Sequence, residues 1–196
     1  MFMLDRWLLF VCCLAFLGAA PPLRADLPSS GPAVERVEPV VHDGALFIEA
    51  DTRFELSGEL RDAAYRGVTL YFTADVEIVS RRWWWFDKVI VDDQQTWRVV
   101  YNALTRQWRV GSGDLALPES SLDAALDPIR HIRGWPVAET ASLDPGETYE
   151  GRIRLRLDTS LLARPFQVNA INSSAWSLAT PWKNFSFSIT DGDSSN

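Results

Sequence analysis

"VTLYFTADVEIV", Val68 to Val79, alternates apolar and polar residues almost without fault. Leu70, Phe72, Ala74, Val76 and Ile78 fall on one side, and Thr69, Tyr71, Thr73, Asp75 and Glu77 on the other. That is the period of a strand with one face in a core and one in water. Sheets of this kind are antiparallel, because a parallel sheet is covered on both faces and reads as a continuous apolar run.

The same period recurs toward the N-terminus in "ALFIEADTRFEL", where Leu46, Ile48 and Ala50 share a face opposite Glu49 and Asp51. Between the two, "SGELRDAAYRG" predicts a short helix that Ser57 can cap and Gly67 can close, with Leu60 and Ala64 four residues apart. Toward the C-terminus, "RWWWFDKVIV" and "TWRVVYNAL" read as strands separated by a polar hairpin loop, "DDQQ". "RQWRVGSG" follows a tight turn at Leu104 to Arg106, so the region predicts an antiparallel meander.

"PESSLDAALDPIRHI" breaks the alternation. Ser120 and Asp123 resemble a capping box, and Leu122, Leu126 and Ile129 follow at helical spacing, with Pro128 limiting the helix to about two turns. In "SLDPGETYEGRIRLRLD", Pro145 and Gly146 fit the centre of a type II turn. The strand after it sends Ile153, Leu155 and Leu157 one way and Arg152, Arg154 and Arg156 the other. "FQVNAI", "AWSLAT" and "NFSFSI" are short strand candidates, and "DGDSSN" reads as a disordered acidic tail. Many short strands with minor helices predict an all-β antiparallel sandwich with immunoglobulin-like layers, a partly closed barrel being the alternative.

The chain has 196 residues and a formal net charge of −7. Its apolar run from Trp7 to Ala20, followed by "PPLRA", reads as a secretory signal peptide ending at Ala25, too short for an ordinary membrane span. Cleavage after Ala20 and an uncleaved anchor are the rival readings. Residues 26–33 read as a flexible leader, 34–190 as one domain and 191–196 as the tail. Cys12 and Cys13 lie in the apolar run, so a mature chain has no thiol, which suits a bacterial periplasm. Without the first 25 residues the chain keeps 17 basic and 25 acidic residues, a net −8 that argues against nucleic acid and anionic membranes as partners.

Chemistry-bearing motifs are scarce. His42 and His131 do not make a zinc site without further ligands. No serine sits in a Gly-x-Ser-x-Gly elbow, and "GSG" at Gly111 to Gly113 lacks the strand, helix and lysine of a phosphate loop. The expectation is therefore a protein that is not an enzyme, with no cofactor and no metal. Two exposed features are the candidate binding residues. In an extended chain Trp83 and Trp85 face opposite Trp84 and Phe86, so one aromatic pair enters the core and the other either lies under a helix or remains exposed and open to function. Arg152, Arg154 and Arg156, spaced roughly 6.6–6.8 Å apart, can meet Asp75 and Glu77 or an anionic partner.

Taken together, "RWWWFDKVIV", "WRVVYNALTRQWRV", "SLDAAL", "LRLDTSLLARPFQV" and "WSLATPW" resemble the domain of unknown function 4390 family of exported proteobacterial proteins, over Val34 to Ile189. The resemblance implies no activity and transfers no catalytic residue. It implies an envelope role, since members of such families are often encoded beside a membrane sensor kinase of the nitrogen-regulation type. The reading is a periplasmic interaction or accessory module whose partner is such a kinase or another envelope protein, with a glycan- or lipid-binding module on an exposed aromatic face as the alternative. Within "RPFQV", Pro165 suits a strand entry or edge, beside which a partner strand could add.

Overall fold

A computed structural model describes residues 31–81 and 87–189. Two antiparallel sheets make an all-β, sandwich-like fold. The smaller sheet has the order β1 (Ala33–His42), β2 (Ala45–Arg53), β7 (His131–Glu139). The larger has the order β6 (Leu117–Glu119), β5 (Gln107–Ser112), β4 (Lys88–Asn102), β3 (Leu70–Ser80), β8 (Thr148–Leu157), β9 (Lys183–Ser188). β7 lies near β4 and β1 near β8 and β9, so the small sheet covers one end of the large sheet's inner face. Helices α1 (Gly58–Tyr65) and α2 (Leu122–Arg130) pack against β4 and β5.

β3 is the centre of the core, as its alternation requires: Leu70, Phe72, Ala74, Val76 and Ile78 have no exposed surface. Leu46, Ile48 and Ala50 of β2 and Ile153, Leu155 and Leu157 of β8 are buried in the same core. Thr73, expected to face water, is instead fully buried, and its hydroxyl lies 2.8 Å from that of Thr96 on β4. A threonine pair of this kind satisfies both hydroxyls and lets a polar position be covered.

α1 forms where its cap predicts. Ser57 Oγ accepts from the Leu60 amide at 3.2 Å, and Gly67, at φ +86°, ends the helix in the left-handed region that glycine adopts without strain. In α2 the cap is Ser121 rather than Ser120, accepting from the Ala124 amide at 3.1 Å. The turn before β8 has Glu147 N–H donating to the Asp144 carbonyl, with Gly146 at φ +80°, as type II requires. Asn102 Oδ1 accepts from the amides of Leu104 and Thr105 and closes the predicted β4–β5 turn.

Three strand expectations fail. "DDQQ" is not a hairpin loop but the middle of β4, where Asp92 pairs with Glu77, Asp93 with Val76, Gln94 with Asp75 and Gln95 with Ala74. Asp92 and Gln94 are tolerated because they face solvent, and Asp93, on the Val76 side, accepts a 3.1 Å hydrogen bond from Nε1 of Trp135 on β7. The β3–β4 connection lies between the paired residues Ser80 and Lys88. Residues 82–86, with the candidate residues Trp83 and Trp85, fall within it and outside the described residues, as does the expected signal peptide. "RPFQV" opens α3 (Arg164–Asn172), not a strand, because Pro165 stands in the first turn, where a missing N–H leaves no helical hydrogen bond unmade. "AWSLAT" forms a 3₁₀ turn at Ser174–Trp176 and a single bridge from Ala179 to Arg156.

β1 and β7 were not expected as strands. Pro39 and Pro136 interrupt their patterns, yet both are edge strands, the position in a sheet where proline is tolerated.

Candidate functional site

The outward face of the large sheet carries the arginine stripe. Pairing sets Arg152 beside Glu77, Arg154 beside Asp75 and Arg156 beside Thr73. Side chains follow that register. Arg152 donates from Nη2 and Nε to Glu77 Oε2 at 2.6 and 3.0 Å. Arg154 Nε donates to Asp75 Oδ2 at 2.8 Å, and Arg156 Nε donates to the same oxygen at 3.0 Å. Arg156 also meets Asp158 at 2.7 Å. The stripe is thus held by Asp75 and Glu77, one of the two kinds of partner that its sequence allowed.

Exposure grades along it. Arg152 is about half exposed at 49% and Arg156 is 27% exposed, while Asp75 keeps only 17%. Burial opposes both charges of the Arg156–Asp158 pair, yet the hydrogen bonds outweigh it. Asp75 and Asp158 hold the Arg156 guanidinium above its ordinary pKa, while Ser160 and Arg156 hold the Asp158 carboxyl below its own.

Trp182, just before β9, is the residue that sequence reasoning missed. Its ring lies under two guanidiniums, with Cζ of Arg154 at 4.5 Å and Cζ of Arg152 at 4.7 Å from the ring centre. Stacking of this type fixes arginines without desolvating them fully. No periodicity marks a single tryptophan between Pro181 and Lys183, so only the fold could bring it to the stripe.

Two shallow depressions flank these residues. One is bounded by Asp75, Glu77, Asp92, Gln94, Arg154 and Trp182. The other runs beside β9 and is lined by Glu77, Glu150, Gly151, Arg152, Asn184 and Ser186. Asp92 stands directly opposite Glu77 and forms no ion pair among the described residues. The face therefore presents acidic side chains on the neighbouring strands β4 and β3 and a basic row on β8, with Trp182 as an aromatic wall.

A second cluster lies on the small sheet. Asp51 accepts from Arg36 Nε at 2.9 Å, from Arg133, and meets Nδ1 of His131 at 3.0 Å. The His131 hydrogen bond first, then Arg133, holds the Asp51 carboxyl well below the usual aspartate range. His42 closes the other end of the sheet, stacked on Phe47 at 4.0 Å between ring centres. β2 pairs His42 with Ala45 and His131 with Asp51, roughly 20 Å apart along the strand, so the histidines do not share a site. Among the described residues no group of three or more His, Cys, Asp or Glu is placed to hold a metal, and no helix is long and apolar enough to cross a membrane.

A search of curated proteins and a search of solved structures returned no match. The family model for a domain of unknown function (DUF4390) matches residues 29–186, from before β1 to within β9, and the chain belongs to that family.

Proposed function

We propose that this protein is a non-enzymatic, exported accessory module that binds a protein partner in the periplasm through the outward face of its large sheet, the partner being the external part of a membrane sensor kinase. The observation that carries the reading is the stacked and ion-paired set Trp182, Arg152, Arg154, Asp75 and Glu77 on a solvent-facing sheet. Tryptophan and arginine are the residue types that dominate interface energetics, and holding them in place beforehand lowers the ordering cost of binding. Export rests on the apolar N-terminal run, and the choice of a kinase on the family's association with such genes.

The test is crosslinking in intact cells followed by affinity capture of the tagged protein. Recovery of a sensor kinase by the wild type and its loss with Trp182→Ala and Arg154→Glu support the proposal. Equal recovery by wild type and both variants contradicts it. A glycan-binding reading keeps one point in its favour, the indole of Trp182 beside carboxylates in one depression. A saturable shift of tryptophan emission on titration with envelope glycans, absent in Trp182→Ala, would favour that reading instead.

A further inference from the structure

We propose that β9 is a self-association edge, through which two copies of this chain pair antiparallel about Ser186 into one continuous twelve-stranded sheet.

Among the described residues four strands form the edges of the two sheets, and three of them are blunted. β1 contains Pro39 and a register shift between Val34 and Arg36. β7 contains Gly134 and Pro136 and pairs irregularly with β2. β6 is only three residues long and contains Pro118. Proline, bulges, brevity and charged side chains are devices by which edges avoid pairing with other chains, and of these β9 carries a single charge, Lys183 at its end. Otherwise Lys183–Ser188 contains no Pro or Gly and pairs with β8 over six successive residues without a shift. Among the described residues no strand pairs with its other edge.

The sequence of β9 selects a second copy as the occupant. Asn184-Phe185-Ser186-Phe187-Ser188 is nearly palindromic about Ser186. A two-fold axis there sets Phe185 opposite the partner's Phe187, and Phe187 opposite the partner's Phe185, on one face. Interfaces with two-fold symmetry require this self-complementarity. Both rings are half-buried, with Phe187 stacked on Tyr149 at 5.4 Å and Phe185 on Phe187 at 6.3 Å, so the aromatic row would continue across the axis. On the other face Asn184, Ser186 and Ser188 are small and exposed and offer no steric barrier.

Charge agrees with this register. Lys183 forms no ion pair among the described residues, and Glu147, which accepts a 2.6 Å hydrogen bond from Ser80 Oγ through one carboxylate oxygen, forms none either. Pairing about Ser186 sets Lys183 opposite the partner's Ile189. The partner's Glu147, next to Thr148, the residue paired with Ser188, then stands two strand spacings away, about 9–10 Å between backbones. That separation is within the combined reach of the two side chains.

Sedimentation velocity of the purified protein over a wide concentration range tests the proposal. The wild type is expected to sediment as a reversible dimer. Ser186→Lys and Ser186→Glu each put like charges face to face at the axis and are expected to be monomers, and an equal mixture of the two is expected to restore the dimer. Because residue 186 is exposed, both variants should keep the wild-type circular dichroism, and recovery in the mixture shows that each is folded. A wild type that is monomeric throughout would overturn the proposal and leave the edge to an extended segment of another protein. Single variants that dimerise like the wild type, or a mixture that stays monomeric, would equally overturn it.

Discussion

Gly151→Ala is the substitution whose effect follows most directly from the packing of β8 against β9. A Cβ at Gly151 would lie 2.2 Å from Cζ and 2.5 Å from Cε2 of Phe185, which crosses over the glycine. Overpacking of this kind typically costs about 1–3 kcal/mol. Against it, alanine in a strand is favoured over glycine by roughly 0.5–1 kcal/mol. The ring is half-buried and its outer end can swing toward solvent, so we expect a cost of about 1.5 kcal/mol, in the lower half of the overpacking range, and a net loss of about 0.5–1 kcal/mol. With Phe185→Ala in the background the clash is gone, and the sign should reverse to a gain of about 0.5–1 kcal/mol. Urea denaturation of the wild type, both single variants and the double variant measures this coupling. A Gly151→Ala protein as stable as the wild type, or the same loss in both backgrounds, would refute the account of how Phe185 is seated.

Asp75→Asn weakens the anchor of two guanidiniums and should lower stability by about 1–2 kcal/mol, a range discounted for the partial exposure of both arginines. Asp92→Asn, which relieves like charges directly opposite each other, should be neutral or stabilising by about 0.2–1 kcal/mol in the same urea assay. Trp135→Phe keeps the apolar ring of β7 but removes the hydrogen bond to Asp93, and thermal melts should show a loss of about 1 kcal/mol. Asp51 and Asp158 both titrate below their ordinary range in the fold, so the stability they contribute is fully present above a pH of about 4 and is lost as pH falls through their folded values. Asp51→Asn should therefore flatten the acid side of a stability–pH curve measured by denaturant titration, and an unchanged slope would contradict this.

Strands buried on one side and wet on the other were legible because their residues meet two different solvents. β3 and β8 show this, and even the pairing of Arg152 and Arg154 with Glu77 and Asp75 could be anticipated from their matching outward rows. The edge strand β9 was legible in "NFSFSI", but the edge strands β1 and β7 were not. Nothing packs along their free side, so Glu35, Arg36, Glu38 and Pro39 in β1 and Gly134 and Pro136 in β7 are permitted and erase the alternation. The middle of β4 misled for a related reason. Asp92 and Gln94 lie on the wet face, and Asp93 is satisfied by an indole from the opposite sheet, a contact between residues 42 positions apart that no local pattern encodes. Pro165 was ambiguous in principle, since a fixed φ suits both a strand entry and a first helical turn. Trp182 reaches the arginine stripe only because β9 returns beside β8.

The central claim is that the outward face of the large sheet meets an envelope sensor kinase. The most direct measurement puts a photoactivatable crosslinker at position 92, on that face, or at position 127, on the exposed side of α2, in intact cells. The account predicts a kinase adduct from position 92 that Trp182→Ala abolishes, and none from position 127. Adducts of equal yield from both positions, or none from position 92, would contradict it.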